Sequence, residues 1–279
     1  MSEGVRRFAR HRLAVVGLGV ILALVALALF AGRAAPHDPL RQDLPHALAK
    51  PSAEFPLGTD EFGRCILSRI LFGARLSLVV GVIATAIGAT VGIVLGLVAG
   101  YLQRLDALVM RTMDVLLAFP SILLAIAIVA ALGPSLGNVM IAVGVRSIPS
   151  FARLSRSMAL SLKELDFVQG AEALGAGHVR VLFRHILPNS VSPLLVFSSM
   201  QVATAILLAA ILSFLGLGVQ PPTPEWGKMV SDGRAYLMEA PHVSLFPGLA
   251  IFVAVMGFNC LGDGLRDALD PRVGRVAVE

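Results

Sequence analysis

Charge is scarce in this chain. Asp, Glu, Lys and Arg make up 15% of its 279 residues, where a soluble globular domain carries about a quarter. Hydrophobic residues make up 56%. That balance excludes an ordinary soluble enzyme or binding module and points to an integral membrane protein. Cysteine is almost absent. Cys65 and Cys260 lie far apart with no metal-ligand spacing around either, so neither a disulfide framework nor a bound metal is expected. The six histidines are scattered, and His37 and His46 read as polar loop residues. A net charge of +5 is modest. It fits basic cytoplasmic loops better than a nucleic-acid surface.

Chemical motifs are missing too. No Gly-x-x-x-x-Gly-Lys-Ser/Thr loop occurs, so the chain is not expected to hold a nucleotide or any cofactor of its own. No Ser/His/Asp or Cys/His arrangement stands out, which disfavours a membrane enzyme. A proton-driven carrier keeps acids inside the membrane as a relay. Here Asp114 and Asp263 sit at the ends of apolar runs, and no run has an acid in its interior. An ion-driven carrier is therefore the weaker alternative to transport powered from outside the chain.

What the chain has is apolar runs. A spanning helix needs about 20 predominantly apolar residues. Leu13 to Ala31, preceded by Arg6, Arg7, Arg10 and Arg12, reads as a retained signal anchor. Further spans are expected from Leu76 to Leu102, over 114–132 and 138–157, from Val196 to Gly218, and from Leu245 to Gly262. The third and fourth are separated by the turn chemistry of Gly133-Pro134-Ser135-Leu136-Gly137-Asn138. Lys and Arg favour the cytoplasmic side. The N-terminus and the segment with Arg153, Arg156, Lys163, Arg180 and Arg184 are both basic, which requires an even number of spans between them. Six spans with both termini cytoplasmic satisfy this. The expected divisions are an N-terminus and first span to residue 32, an outer loop with an amphipathic segment over 33–75, and a transmembrane core over 76–264. A cytoplasmic loop over 158–190 lies within that core, and a cytoplasmic tail covers 265–279. The loop 219–244 faces outward.

Three features invite a role. Gly88, Gly92, Gly96 and Gly100 recur every fourth position. That puts them on one helix face, either as a packing groove for a neighbouring helix or as part of a passage. Arg146 falls well inside the fourth span. A charge there either faces a water-filled cavity, where it could meet a peptide carboxylate, or snorkels to the headgroups past Pro149. Finally, "FVQGAEALGAGHVRVLFRHILPN", Phe167 to Asn189, reads as two short helices around a Gly-Ala-Gly break. Its Gly170, Ala171, Ala173, Gly175, Ala176 and Gly177 would allow close approach of a partner. Gly175 or Gly177 could take the backbone angles of a sharp turn. Arg180 and Arg184, one turn apart, would suit acidic partners or lipid headgroups.

That stretch resembles the "EAA…G…I-x-L-P" loop of bacterial ABC importer permeases. Gln169-Gly170-Ala171, Ala173-Leu174-Gly175 and Ile186-Leu187-Pro188 carry the likeness. Gln169 and Gly170 stand where the family has Glu and Ala, His185 takes the Ile position, and Glu172 is not the family's Glu. Three more blocks resemble the dipeptide/oligopeptide/nickel branch, second permease type. They are "PLGTDEFGRCILSRILFGARLSL", "LSFLGLGVQPPTPEWG" and "LGDGLRDALDPR", with Cys65 where an Asp is usual. The resemblance implies an all-α permease of type I importer architecture in the bacterial cytoplasmic membrane. It implies a homologous second permease, two cytoplasmic ATPases that bind ATP and Mg, and an extracytoplasmic binding protein. The loop, from Gln169 through Glu172 to Gly177 with Leu187 and Pro188, would be where the ATPases dock. Di- or oligopeptides are the implied cargo, with glutathione or a nickel chelate as alternatives.

Overall fold

The computed structural model describes residues 11–269. Helix α1 is Arg12–Leu29, α2 Ile66–Tyr101, α3 Gln103–Ala118 and α4 Ser121–Leu132. Helix α5 is Leu136–Leu162 and α6 Asp166–Ala173. Helix α7 runs continuously from His178 to Phe214, α8 is Trp226–Gly233, and α9 is His242–Leu269. Among the described residues the only strand-like feature is an isolated Thr59–Cys65 bridge. The basic residues Arg6, Arg7 and Arg10, and the tail from 270 to 279, lie outside the described residues.

Four helices, α1, α2, α7 and α9, are long and apolar enough to cross a bilayer. Together α3 and α4 form a further passage, bent by 91°. The remaining expected span is α5, which is less apolar because it carries Arg146, Arg153 and Arg156. Its 27 residues reach about 40 Å at 1.5 Å per residue, against a hydrocarbon core of about 30 Å.

The third span differs from the straight helix expected over 114–132. It breaks at Phe119–Pro120, where Phe119 is extended at φ −86°, ψ 135°. Proline disfavours a helical conformation in the residue before it and offers no N–H to continue the ladder. Boundaries shift elsewhere as well. Helix α2 begins at Ile66, so the end of the expected outer loop is its first turns. Helix α7 begins at His178, so the second short helix of the polar stretch merges into the fifth span.

Glycine fixes how the central helices pack. Gly88 faces Gly144 and Ser147, Gly92 faces Ile148 and Phe151, Gly96 faces Ala152 and Ser155, and Gly100 faces Arg156 and Ala159. The contact numbers rise together, so α2 and α5 run parallel. A Cβ on Gly92 would stand 2.6 Å from the Ile148 carbonyl oxygen and the Phe151 Cβ. No apolar driving force separates helix from lipid, so close backbone approach is what holds such pairs. Two parallel helices need a return passage, and α3–α4 supplies it. Asp106 accepts two hydrogen bonds from Arg156, and Asp114 one from Arg153, which pin α3 to the lower half of α5. By contrast α1 lies antiparallel to α9, with Gly17 against Gly257 and Leu261 and His11 Nε2 3.0 Å from Asp267. The start of α1, the end of α9 and the loop after α5 therefore share one side.

The opposite end is closed by a polar cluster. Asp60 accepts from the Phe62 and Arg64 N–H groups and from Arg64 Nε at 2.7 Å. Arg69 Nε sits 3.3 Å from the same carboxylate but off its hydrogen-bonding direction. Burial pushes the neighbouring Glu61 carboxyl up. Helix α8 plugs into this end. Trp226 is fully buried over Gly73, and its indole N–H donates to the Ile70 carbonyl at 3.0 Å. Glu225 caps α8 by accepting from the Gly227 and Lys228 N–H groups, each at 2.9 Å.

Overpacking a close contact costs about 1–3 kcal/mol. Gly92→Leu is expected to lower the melting temperature of the purified protein by several degrees. Gly19→Leu, at a position with open space around it, is expected to leave it unchanged. Equal behaviour of the two variants would refute the glycine contact.

Candidate functional site

The polar stretch between α5 and α7 folds as a helical hairpin on the basic side of the bundle. Helix α6 ends at Ala173, and the next turn is a Schellman motif. The Gly175 N–H donates to the Glu172 carbonyl at 2.8 Å, and the Ala176 N–H to the Ala171 carbonyl at 3.0 Å. That motif places one residue in the left-handed region. Gly175 takes it, at φ +83°, whereas Gly177 is extended at φ −68°, ψ 156° and leads into α7.

The hairpin has two faces. Val168, Val181, Leu182 and Ile186 are buried against Leu97 and Ala159, near the ends of α2 and α5. Leu187 packs beside that cluster. On the outer face Leu174 is 91% exposed, Val179 71% and Phe183 48%. Charged loops do not ordinarily present large apolar side chains to water in a group. A side chain added at Gly170, Gly175 or Gly177 would meet nothing within 4 Å. Ala171, Leu174, Ala176, Arg180, Arg184 and His185 line one cleft, so the two arginines share a surface with the small residues.

The helix widens into a π turn over Val181–Ile186, just ahead of Pro188. Proline has no N–H to give the carbonyl one turn earlier, and the ladder loosens there. Asn189 Nδ2 donates to the His185 carbonyl at 2.6 Å, and Ser190 Oγ to that of Ile186 at 3.0 Å. Gln169 Nε2 donates back to the Glu164 carbonyl at 3.2 Å. Glu172 accepts from the Tyr101 hydroxyl at 2.6 Å.

The structure thus gathers Gln169, Gly170, Ala171, Glu172, Ala173, Leu174, Gly175, Ala176 and Gly177 into one hairpin, with Leu187 and Pro188 at its base. Arg146 is not part of it. It lies 16 residues before the end of α5, about 24 Å away along the axis. It is half-buried and projects from the side of α5 opposite the glycine contact, in line with Ser150, Arg153 and Ser157. Arg153 and Arg156 pair with Asp114 and Asp106, while Arg146 enters no ion pair among the described residues. Sequence reasoning missed Tyr101, which touches the hairpin from the end of α2, and His178, which meets it from the hairpin's second arm. Tyr101 is one of only two tyrosines in the chain and ends its span, a position where a polar aromatic side chain is informative.

Residues 88–275 match the family described as binding-protein-dependent transport system inner membrane component. Residues 1–51 match the N-terminal transmembrane domain of oligopeptide transport permease C. The chain is 49% identical over 272 residues to the dipeptide transport system permease protein DppC of Alkalihalophilus pseudofirmus, covering 97% of this chain and 90% of that protein. It is 51% identical over 270 residues to the glutathione transport system permease protein GsiD of Escherichia coli O157:H7, covering 96% and 89%. Among solved structures, the inward-facing MetNI methionine ABC transporter superposes with a TM-score of 0.57 at 16% identity. That match covers 76% of this chain and 97% of the other. An amino acid ABC transporter crystallised with histidines gives a TM-score of 0.53 at 16% identity, over 71% and 92%. These two likenesses concern the fold.

A left-handed β-branched residue is strained by about 1–2 kcal/mol. Gly175→Val is expected to loosen the turn, seen as faster amide exchange across 172–178 with total helix content unchanged. Wild-type exchange in that segment would contradict the turn's dependence on glycine.

Proposed function

The chain belongs to the family of binding-protein-dependent transport system inner membrane components, and on that premise we propose that it is the permease subunit of an ATP-driven importer of small peptides. It is a multi-pass protein of the bacterial cytoplasmic membrane and not itself an enzyme. Two cytoplasmic ATPases, which bind ATP and Mg, dock on the hairpin. A homologous second permease completes the passage, and an extracytoplasmic binding protein delivers cargo to the outer loops 33–75 and 219–244. The relatives named for dipeptides and for glutathione favour small peptides as cargo, glutathione included.

The carrying observation is the outer face of the hairpin. Exposed Leu174 lines a cleft with Arg180 and Arg184, Val179 and Phe183 are exposed on the same arm as the arginines, and there is room at Gly170, Gly175 and Gly177. Small residues admit a partner helix closely, apolar ones reward its burial, and the arginines suit an acidic rim. Purified alone, the chain is expected to show no ATPase activity. Co-expressed with the two ATPases and the second permease, it should co-purify in a complex that hydrolyses ATP. Hydrolysis by this chain alone, or failure of the Leu174 surface to become protected in the complex, would overturn the reading.

Arg146 belongs to the passage in this proposal. An unpaired arginine midway along a spanning helix faces water or a partner, not lipid. It shares its side of α5 with two serines and a second arginine, and every peptide cargo with a free C-terminus carries a carboxylate. Arg146→Ala is expected to reduce uptake of dialanine severalfold with assembly and basal ATPase unchanged. Unaltered uptake across substrate concentrations would assign Arg146 to the headgroups instead.

A further inference from the structure

Covalent continuity joins the hairpin to two helices. Helix α5 leads into it, and α7 continues out of it as one rod. Helix α2 has no such link, yet it ends against the hairpin. Its apolar contacts there, through Leu97 and Val98, are non-directional. Its directional side-chain contact with the two arms is Tyr101. The hydroxyl donates to Glu172 Oε1 at 2.6 Å and lies 3.2 Å from His178 Nδ1. The ring meets the imidazole edge-on, with centroids 5.5 Å apart. Glu172 is on the first arm of the hairpin and His178 begins the second. One side chain at the end of a spanning helix therefore holds both arms across the Gly175 turn.

The geometry points to Tyr101 as a positioning residue. It sets the pose of the hairpin on the end of α2, so that displacement of the hairpin by an ATPase reaches α2 as well as α5 and α7. The inference rests on the docking reading above. It also accounts for Glu172, which is engaged by Tyr101 and does not line the cleft with Arg180 and Arg184. Because α2 and α5 are locked along the glycine contact, a hairpin that tilted on α5 alone would have to break either that contact or the Tyr101 bonds. With the bonds intact the two helices move as one body.

The test uses the complete importer in liposomes, with dialanine as cargo and ATP hydrolysed per dialanine imported as the readout. Tyr101→Phe keeps the ring and its contact with His178 but removes the hydroxyl. A hydrogen bond to a charged acceptor corresponds to about a tenfold change in an equilibrium. The ratio is expected to rise by about that factor, with subunit composition unchanged. Glu172→Ala should give the same rise, the double variant no more, and Glu172→Gln, which keeps a carbonyl acceptor, should restore most of the coupling. A wild-type ratio in Tyr101→Phe, or independent multiplication of the Tyr101→Phe and Glu172→Ala effects, would overturn the inference. Failure of the docking reading looks different. A Leu174→Cys label would then stay fully reactive in the assembled complex of otherwise unaltered sequence.

Discussion

The close parallel contact between α2 and α5 is the constraint on which the rest of the architecture depends. Two helices that descend together cannot follow one another directly, so the chain must climb back between them. The α3–α4 passage does so in two pieces bent at Pro120. Its lower piece carries Asp106 and Asp114, the partners of the two arginines near the foot of α5. The glycines admit no spacing between the rods, so the ends of both are held at one level. The apolar underside of the hairpin rests on those ends through Leu97 and Ala159.

Helix α2 also connects the two faces of the protein. Its 36 residues extend about 54 Å, well past the hydrocarbon core. The outer turns carry Arg69 in the polar cluster with Asp60, and Gly73 beneath Trp226. The last residue is Tyr101. A binding protein acting on the outer loops and an ATPase acting on the hairpin, as proposed, would thus address opposite ends of a single rod.

Much of this was legible in the sequence. Apolar runs located the spans because burying unpaired backbone groups in lipid leaves helices as the economical answer. The four-residue glycine repeat announced a one-sided close contact, though it did not name α5 as the partner or disclose the parallel sense. Pairing between distant segments is not encoded in periodicity. The bend at Pro120 was hidden inside a run whose apolarity outweighed its single proline. Pro188 is the only trace of the π turn in the sequence, and a proline alone does not tell which carbonyls find other donors. The hairpin's residues were identified as a group through resemblance, and Gly175 as one of two candidates for the left-handed position. That Glu172 pairs with Tyr101 could not be read, because the two are 71 positions apart.

Parallel packing has an electrical consequence. Each α-helix carries a partial negative pole, roughly half an elementary charge, at its C-terminal end. Antiparallel neighbours such as α1 and α9 cancel one another's field. In α2 and α5 both negative poles emerge side by side at the basic end of the bundle. Lys163, the residue that terminates α5, reaches across to the Gly100 carbonyl in the last turn of α2 at 3.4 Å. One ammonium group thereby serves both poles, and Arg156 lies a short way above it. The basic character of this face answers the bundle's own field as well as the membrane's preference for cations inside.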